Sequence, residues 1–229
     1  MTSGLPSTTD LDEMRERVRL VPQPDYRIER VRKRCYSVLE LVELEKQPVD
    51  AIVVVNMQVG LLNGAPKDDL QGVIQRINLL TAMVRKQSGK VIWIRHCGKT
   101  GDGFERHTEG WSFLPELSCH RDDVVIEKTL NDPFVGTPLQ ETLRRIGPDR
   151  VLVAGWATDL CVDATIRSAV SNDYHVVVVS DGHTLSDRPH LDAATVIRHH
   201  HWVWGDLITN RSVRIVTTGQ LIDESAQTS

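Results

Sequence analysis

The chain has 229 residues, 40% hydrophobic and 25% charged, enough for one α/β domain with a sizeable core and short for two. Its formal net charge of -4 leaves no basic stripe to track a phosphate backbone, which argues against nucleic acid as a partner and favours a small molecule. No run approaches the roughly 20 apolar residues of a membrane span, while four cysteines without CxxC spacing and a start without a secretion-signal pattern point to a reducing, cytoplasmic compartment.

Residues 1–49 are charge-rich, broken by Pro22 and Pro24, and hold no strand of the core type. They are expected to form a helical arm, packed on the domain or a partner subunit or lying solvated on the surface. The domain itself is expected over 50–229. In it, 51–55 (AIVVV) reads as a strand, 69–88 as an amphipathic helix closed by Gly89, and 91–95 (VIWIR) as a second strand. A third strand follows at 123–126, a helix at 137–146 closed by Gly147, and a fourth strand at 151–154. Then come a helix at 161–171, a strand at 176–179 (VVVV), a helix at 191–204 and a last strand at 213–216. Several of these strands are too uniformly apolar to have a wet face, which suits a parallel sheet covered on both sides. The alternation predicts an α/β, doubly wound, Rossmann-like parallel sheet of about six strands flanked by helices. Ligands in such sheets bind at the carboxyl ends of the strands, here Asn56, His96, Lys128 and the loop before Cys161.

Cys161 opens a helix directly after the fourth strand, in VLVAGWATDLC. Unpaired N–H groups and the positive end of the helix dipole favour a thiolate there, so Cys161 is a candidate nucleophile; a small buried hydrophobe is the plainer reading. Gly155 permits a tight backbone, and Thr158 and Asp159 are suited to capping the helix. Backbone N–H groups at such a turn can hold an oxyanion. Lys128 ends the third strand at the same sheet edge, where an ammonium would hold a thiolate by charge; an ordinary surface lysine is the alternative.

The spacing of AIVVVNMQVG, EKTLNDPFVGTPLQETLRRIG and VLVAGWATDLCVDATIRSAVSNDYHVVVVSDG resembles the isochorismatase-like cysteine hydrolase superfamily, and HLDAATVIRHHHWVWGDL resembles its members that act on small amides. The resemblance implies a six-stranded Rossmann-like sheet, homodimers or homotetramers, no cofactor, and hydrolysis of a C–N bond of a small amide or ureido compound through a thioester. It also implies a triad of aspartate, lysine and cysteine, of which Lys128 and Cys161 are present, a cis peptide at Trp156-Ala157, and an oxyanion hole from the N–H groups of Ala157 and Cys161. Where the pattern has its aspartate, this chain has Asn56, and an amide cannot accept a proton as a carboxylate does. A deliberate substitution, a natural variant relying on a Cys–Lys pair, and a catalytically silent binding protein all accommodate Asn56. An isochorismatase-type vinyl ether hydrolase is a further alternative, disfavoured because the members that cleave that bond lack the cysteine.

The loop IRHCGKTGDGFERHTEGWSF carries His96, Cys97 and His107 without the Asp-x-His pair by which nicotinamidases, relatives of this superfamily, hold a divalent ion, so no metal is expected. His199, His200 and His201 fan around a helix at about 100° intervals and suit packing or an interface. Trp111, Phe113, Phe134 and Trp156 are candidates to line a substrate pocket, with His96 and Arg95 at its polar end, although for all but Trp156 a core or interface role is the plainer reading. Asp181, Gly182 and His183 are expected just beyond the fifth strand, where reach of the site and a plain strand-terminal turn account for them equally well.

Overall fold

In the computed structural model, residues 49–227 are described; the arm expected over 1–49 lies, but for Val49, outside them. β1 (Asp50–Val55) is buried at all six positions, which is why it shows no polar alternation. It sits at the centre of a six-stranded sheet ordered β3-β2-β1-β4-β5-β6, where β2 is Lys90–His96, β3 Val124–Lys128, β4 Arg150–Trp156, β5 Val176–Thr184 and β6 Val213–Val216. Every pairing is parallel.

The helices are α1 (Val59–Leu62, a single turn), α2 (Leu70–Lys86), α3 (Leu139–Ile146), α4 (Asp163–Ser171), α5 (Ala193–Gly205) and α6 (Thr218–Gln227). Strand side chains alternate between two apolar layers. Ile52, Val54, Trp93, Leu152 and Val177 pack with Ile74, Ile77 and Leu80 of α2 and Leu221 of α6. Ala51, Val53, Ile92, Val151 and Val178 pack with Leu139 and Leu143 of α3, Ile166 of α4 and Trp204 of α5. From β1 the chain winds outward through β2 and β3, then returns to β4 on the other side of β1. The switch point thus lies between β1 and β4, and a crevice at their carboxyl ends is the geometric site for a ligand.

Several boundaries differ from the sequence pattern. Gly147 caps α3 in the left-handed conformation, its N–H donating to Leu143 O (2.9 Å) as expected. After α2, by contrast, Ser88 takes the left-handed position (φ 63°), and Gly89 instead lies where a Cβ would strike Asp50 O of β1. β5 runs on to Thr184, so Asp181, Gly182 and His183 belong to the strand rather than following it. The helix expected from Cys161 starts earlier, as a π-helical turn over Thr158–Val162 that leads into α4. Among the described residues, no helix is long and apolar enough to cross a membrane.

Candidate active site

β3 ends at Lys128 and the turn after β4 carries Cys161, and the fold brings the two together: Lys128 Nζ donates to Cys161 Sγ at 3.2 Å. Both are buried, at 2% and 5% exposure. The same ammonium donates to Leu130 O (2.8 Å) and lies 3.4 Å from His96 Nδ1, since His96 is the register partner of Lys128 across β2 and β3. The Cys161 thiol points at Asn131 Oδ1, 3.5 Å away. Burial pushes the Lys128 ammonium below the ordinary lysine value, while the charge and hydrogen bond of Cys161 and the charge of Asp132 pull it back up. His96 is also held below its ordinary value, first by burial, then by the charge of Lys128, against the upward pull of Asp102.

The turn that carries Cys161 is tied down at both ends. Thr158 Oγ1 and His183 Nδ1 are 2.9 Å apart, and His183 Nε2 lies 3.0 Å from His201 Nε2 on α5. Asp159 accepts a two-pronged ion pair from Arg188 (2.7 and 2.6 Å), and Asp163 Oδ1 accepts from Trp204 Nε1 (2.8 Å). Thr158 and Asp159 therefore do not cap the helix as expected. The residue in the cap position is Ala157, and a side chain already inside the first turn faces neighbouring elements rather than the turn's own N–H groups. Burial brings His183 down to about 3, helped by the charges of His201 and His200.

The Trp156-Ala157 peptide is cis. The N–H groups of Leu160 and Val162 both donate to Ala157 O (3.1 Å each), bracketing the N–H of Cys161.

Asn56 follows β1 in the left-handed conformation (φ 54°), which asparagine tolerates better than most residues, with its N–H donating to Ile94 O. Its side chain is buried at 1% exposure, and among the described residues Oδ1 has no hydrogen-bond partner. Trp156 is likewise left with an unpartnered buried Nε1, its ring against Leu185 and Ala193. Phe134 is half-buried against the α3–α5 layer. Trp111 is engaged locally, with Nε1 donating to Cys97 Sγ (3.3 Å) and its ring 4.0 Å from the Arg95 guanidinium. Arg95 lies over Trp111 and Phe113 rather than beside Lys128, because neighbours along a strand point to opposite faces.

The loop histidines diverge: His96 meets Lys128, and His107 stacks against Trp111. On α5, His201 meets His183, and His200 Nδ1 lies 2.9 Å from Val196 O. Among the described residues, no group of three His, Cys, Asp or Glu side chains is arranged to hold a metal ion.

Gln58 was not singled out from the sequence. Wholly buried, it accepts from His96 N–H (2.6 Å) and donates to His96 O (2.9 Å) and Trp111 O (3.1 Å), fixing the strand end that carries His96. A second polar residue, three positions beyond the end of a core strand, was the available signal. Asn131 and the carbonyl of Leu130 gave none.

A doubly wound parallel sheet with a buried sulfur–amine pair at its carboxyl edge belongs to the class of α/β enzymes that gather their chemistry at a topological switch point. Residues 50–209 match the model of the Isochorismatase domain, and the chain belongs to that family of hydrolases. Streptothricin hydrolase of Streptomyces noursei is 29% identical over 168 residues, 70% of this chain and 67% of that protein. Ureidoacrylate amidohydrolase of Variovorax paradoxus is 32% identical over 74 residues, 31% of this chain and 29% of its own length. A cysteine hydrolase from Pseudomonas syringae pv. phaseolicola 1448A superimposes with a TM-score of 0.69 at 25% identity, over 79% of this chain and 93% of that one.

Proposed function

We propose that this chain hydrolyses a C–N bond of a small amide or ureido compound through a thioester on Cys161. The observation that carries this reading is the 3.2 Å contact between Lys128 Nζ and Cys161 Sγ at the carboxyl edge of the sheet. The names of the streptothricin hydrolase and the ureidoacrylate amidohydrolase support the substrate class.

In this mechanism the Cys161 thiolate attacks the carbonyl carbon, and the N–H groups of Ala157 and Cys161 hold the oxyanion, each such donor contributing roughly 3 kcal/mol. The C–N bond breaks as the leaving nitrogen takes a proton from the Lys128 ammonium, giving free ammonia or amine and a neutral lysine. Water then attacks the thioester and passes a proton to the neutral Lys128 side chain. The C–S bond breaks, the carboxylic acid departs, and thiolate and ammonium are restored. His96, which contacts Lys128, lies beside the acyl portion in this reading, and Asn56 orients groups by hydrogen bonding without accepting a proton.

Release of ammonia or amine from a panel of small amides and ureido compounds tests the proposal. Cys161→Ala is expected to abolish release, and Asn56→Asp to raise it by about 100-fold, the usual scale of acid–base catalysis. An acyl adduct on Cys161 is expected in the intact mass. An equal rate in Asn56→Asp removes position 56 from the chemistry, and release that survives Cys161→Ala removes the thioester. A second reading, a silent binding protein, draws on the fact that among the described residues no carboxylate pairs with Lys128 within 4.0 Å. A Cys161 inert to alkylation near neutral pH selects it.

A further inference from the structure

An ammonium group has three protons and accepts none. Around Lys128 Nζ, three atoms stand within hydrogen-bonding distance: Leu130 O at 2.8 Å, Cys161 Sγ at 3.2 Å and His96 Nδ1 at 3.4 Å. Asn56, just beyond the end of β1 and two strands from β3, supplies no fourth, for among the described residues its Oδ1 has no partner. Among the described residues no carboxylate is in contact with Lys128, and with the side chain only 2% exposed each acceptor lost from this set makes the charged amine costlier to bury. The carbonyl is part of the backbone and the sulfur is the reacting atom. The imidazole is the one side chain in the set besides the reacting sulfur.

We propose that His96 is a positioning residue of this site: its Nδ1 takes the third proton of Lys128, keeping the amine charged and aimed at Cys161. The role requires a neutral imidazole with its own proton on Nε2, because an Nδ1–H would face an N–H of the ammonium. The surroundings fit that form. The charged groups acting on His96 are Lys128 from β3 and Asp102 from the following loop, and burial together with Lys128 outweighs Asp102 in keeping the ring unprotonated. The ring is also held in place. Both backbone polar groups of His96 are bonded to the side chain of Gln58, and the imidazole packs on Phe104 with centroids 5.6 Å apart.

The inference deepens the proposed mechanism and rests on Cys161 being its nucleophile, yet its test needs no amide substrate, so either can fail alone. The probe is iodoacetamide, with alkylation of Cys161 followed peptide by peptide to separate it from the other cysteines. In His96→Leu, which removes the acceptor, the midpoint of the pH–rate profile is expected to rise by about one pH unit, with an alkylation rate at pH 7 lower by about tenfold. In His96→Asn, which keeps a neutral acceptor at this position, the midpoint is expected within about 0.3 of a pH unit of the parent. A purely structural role would move both variants alike.

Nitrogen-15 NMR of the parent protein gives a reading that does not depend on a variant folding. It is expected to show His96 with Nδ1 unprotonated and Nε2 protonated at pH 7. A proton on Nδ1, a His96→Leu profile that superimposes on the parent, or equal shifts in both variants overturns the assignment.

Discussion

Gly155 sets how closely β4, which leads into the turn of the candidate oxyanion residues, approaches β1. It pairs with Val55, takes φ of 123°, and a Cβ built on it would fall 2.6 Å from Val55 N and closer still to Val55 O. Gly155→Ala is therefore expected to cost about 2–4 kcal/mol in urea unfolding, from the positive φ and from strands forced apart beside the site. Gly147→Ala is the control. Its φ of 60° is also left-handed, but nothing lies within 4 Å of the added carbon, so about 1 kcal/mol is expected. Equal losses in the two variants would show that close approach at Gly155 has no weight of its own. Gly155, Lys128 and Cys161 were legible in the sequence because each ends or follows an apolar run, and the rules of parallel sheets send all such ends to one edge. Gln58, Asn131 and the Leu130 carbonyl were not, since their contacts depend on loop paths that no periodicity encodes.

The π-helical turn Thr158–Val162 owes its position to contacts with β5, α5 and the loop between them rather than to caps of its own. Three side chains at its start and just past its end, Thr158, Asp159 and Asp163, reach His183, Arg188 and Trp204 respectively. Thr158→Val keeps the volume and removes the hydroxyl 2.9 Å from the buried His183 Nδ1, leaving that nitrogen without its partner. A loss of about 1–3 kcal/mol is expected in urea unfolding, with slower alkylation of Cys161 as the turn loosens. Unchanged stability would mean that the turn is held by packing alone. The sequence pattern concealed this clamp because the relevant half of β5, SDGHT, is polar, and an apolar-run criterion stops at Val179. Long periodic elements such as α2 were found to within two residues at each end, since one buried face repeats through Val73, Ile77, Leu80 and Val84.

At the scale of the whole molecule, alternating strands and helices sufficed to anticipate a doubly wound parallel sheet. They could not reveal that a neutral imidazole would be sealed between the sheet and α5, and that imidazole ties global stability to pH. Folded His183 titrates at about 3, through burial and then the charges of His201 and His200, whereas an unfolded histidine titrates near 6.5. Between those values the unfolded chain binds a proton that the folded chain refuses, so acid favours unfolding. The stability is fully present above about pH 6.5 and is lost progressively as the pH falls toward 3, with a slope near 1.4 kcal/mol per pH unit for one proton. From pH 6.5 to 5 that amounts to about 2 kcal/mol, a large share of the 5–15 kcal/mol typical of a domain. His96 and His201 are held below their ordinary values by burial first, and so act in the same direction. Asp123 belongs to a lower window: burial works to raise it, but Arg85, Trp93 and the N–H of His120 hold it below 3.8, so its contribution fades only in stronger acid. Urea midpoints measured at pH 7, 6 and 5 thus report on the histidines. His183→Asn is expected to lower stability at pH 7 yet flatten the decline toward pH 5 by about one proton's worth. A decline of the same steepness in parent and variant would place the acid sensitivity outside His183.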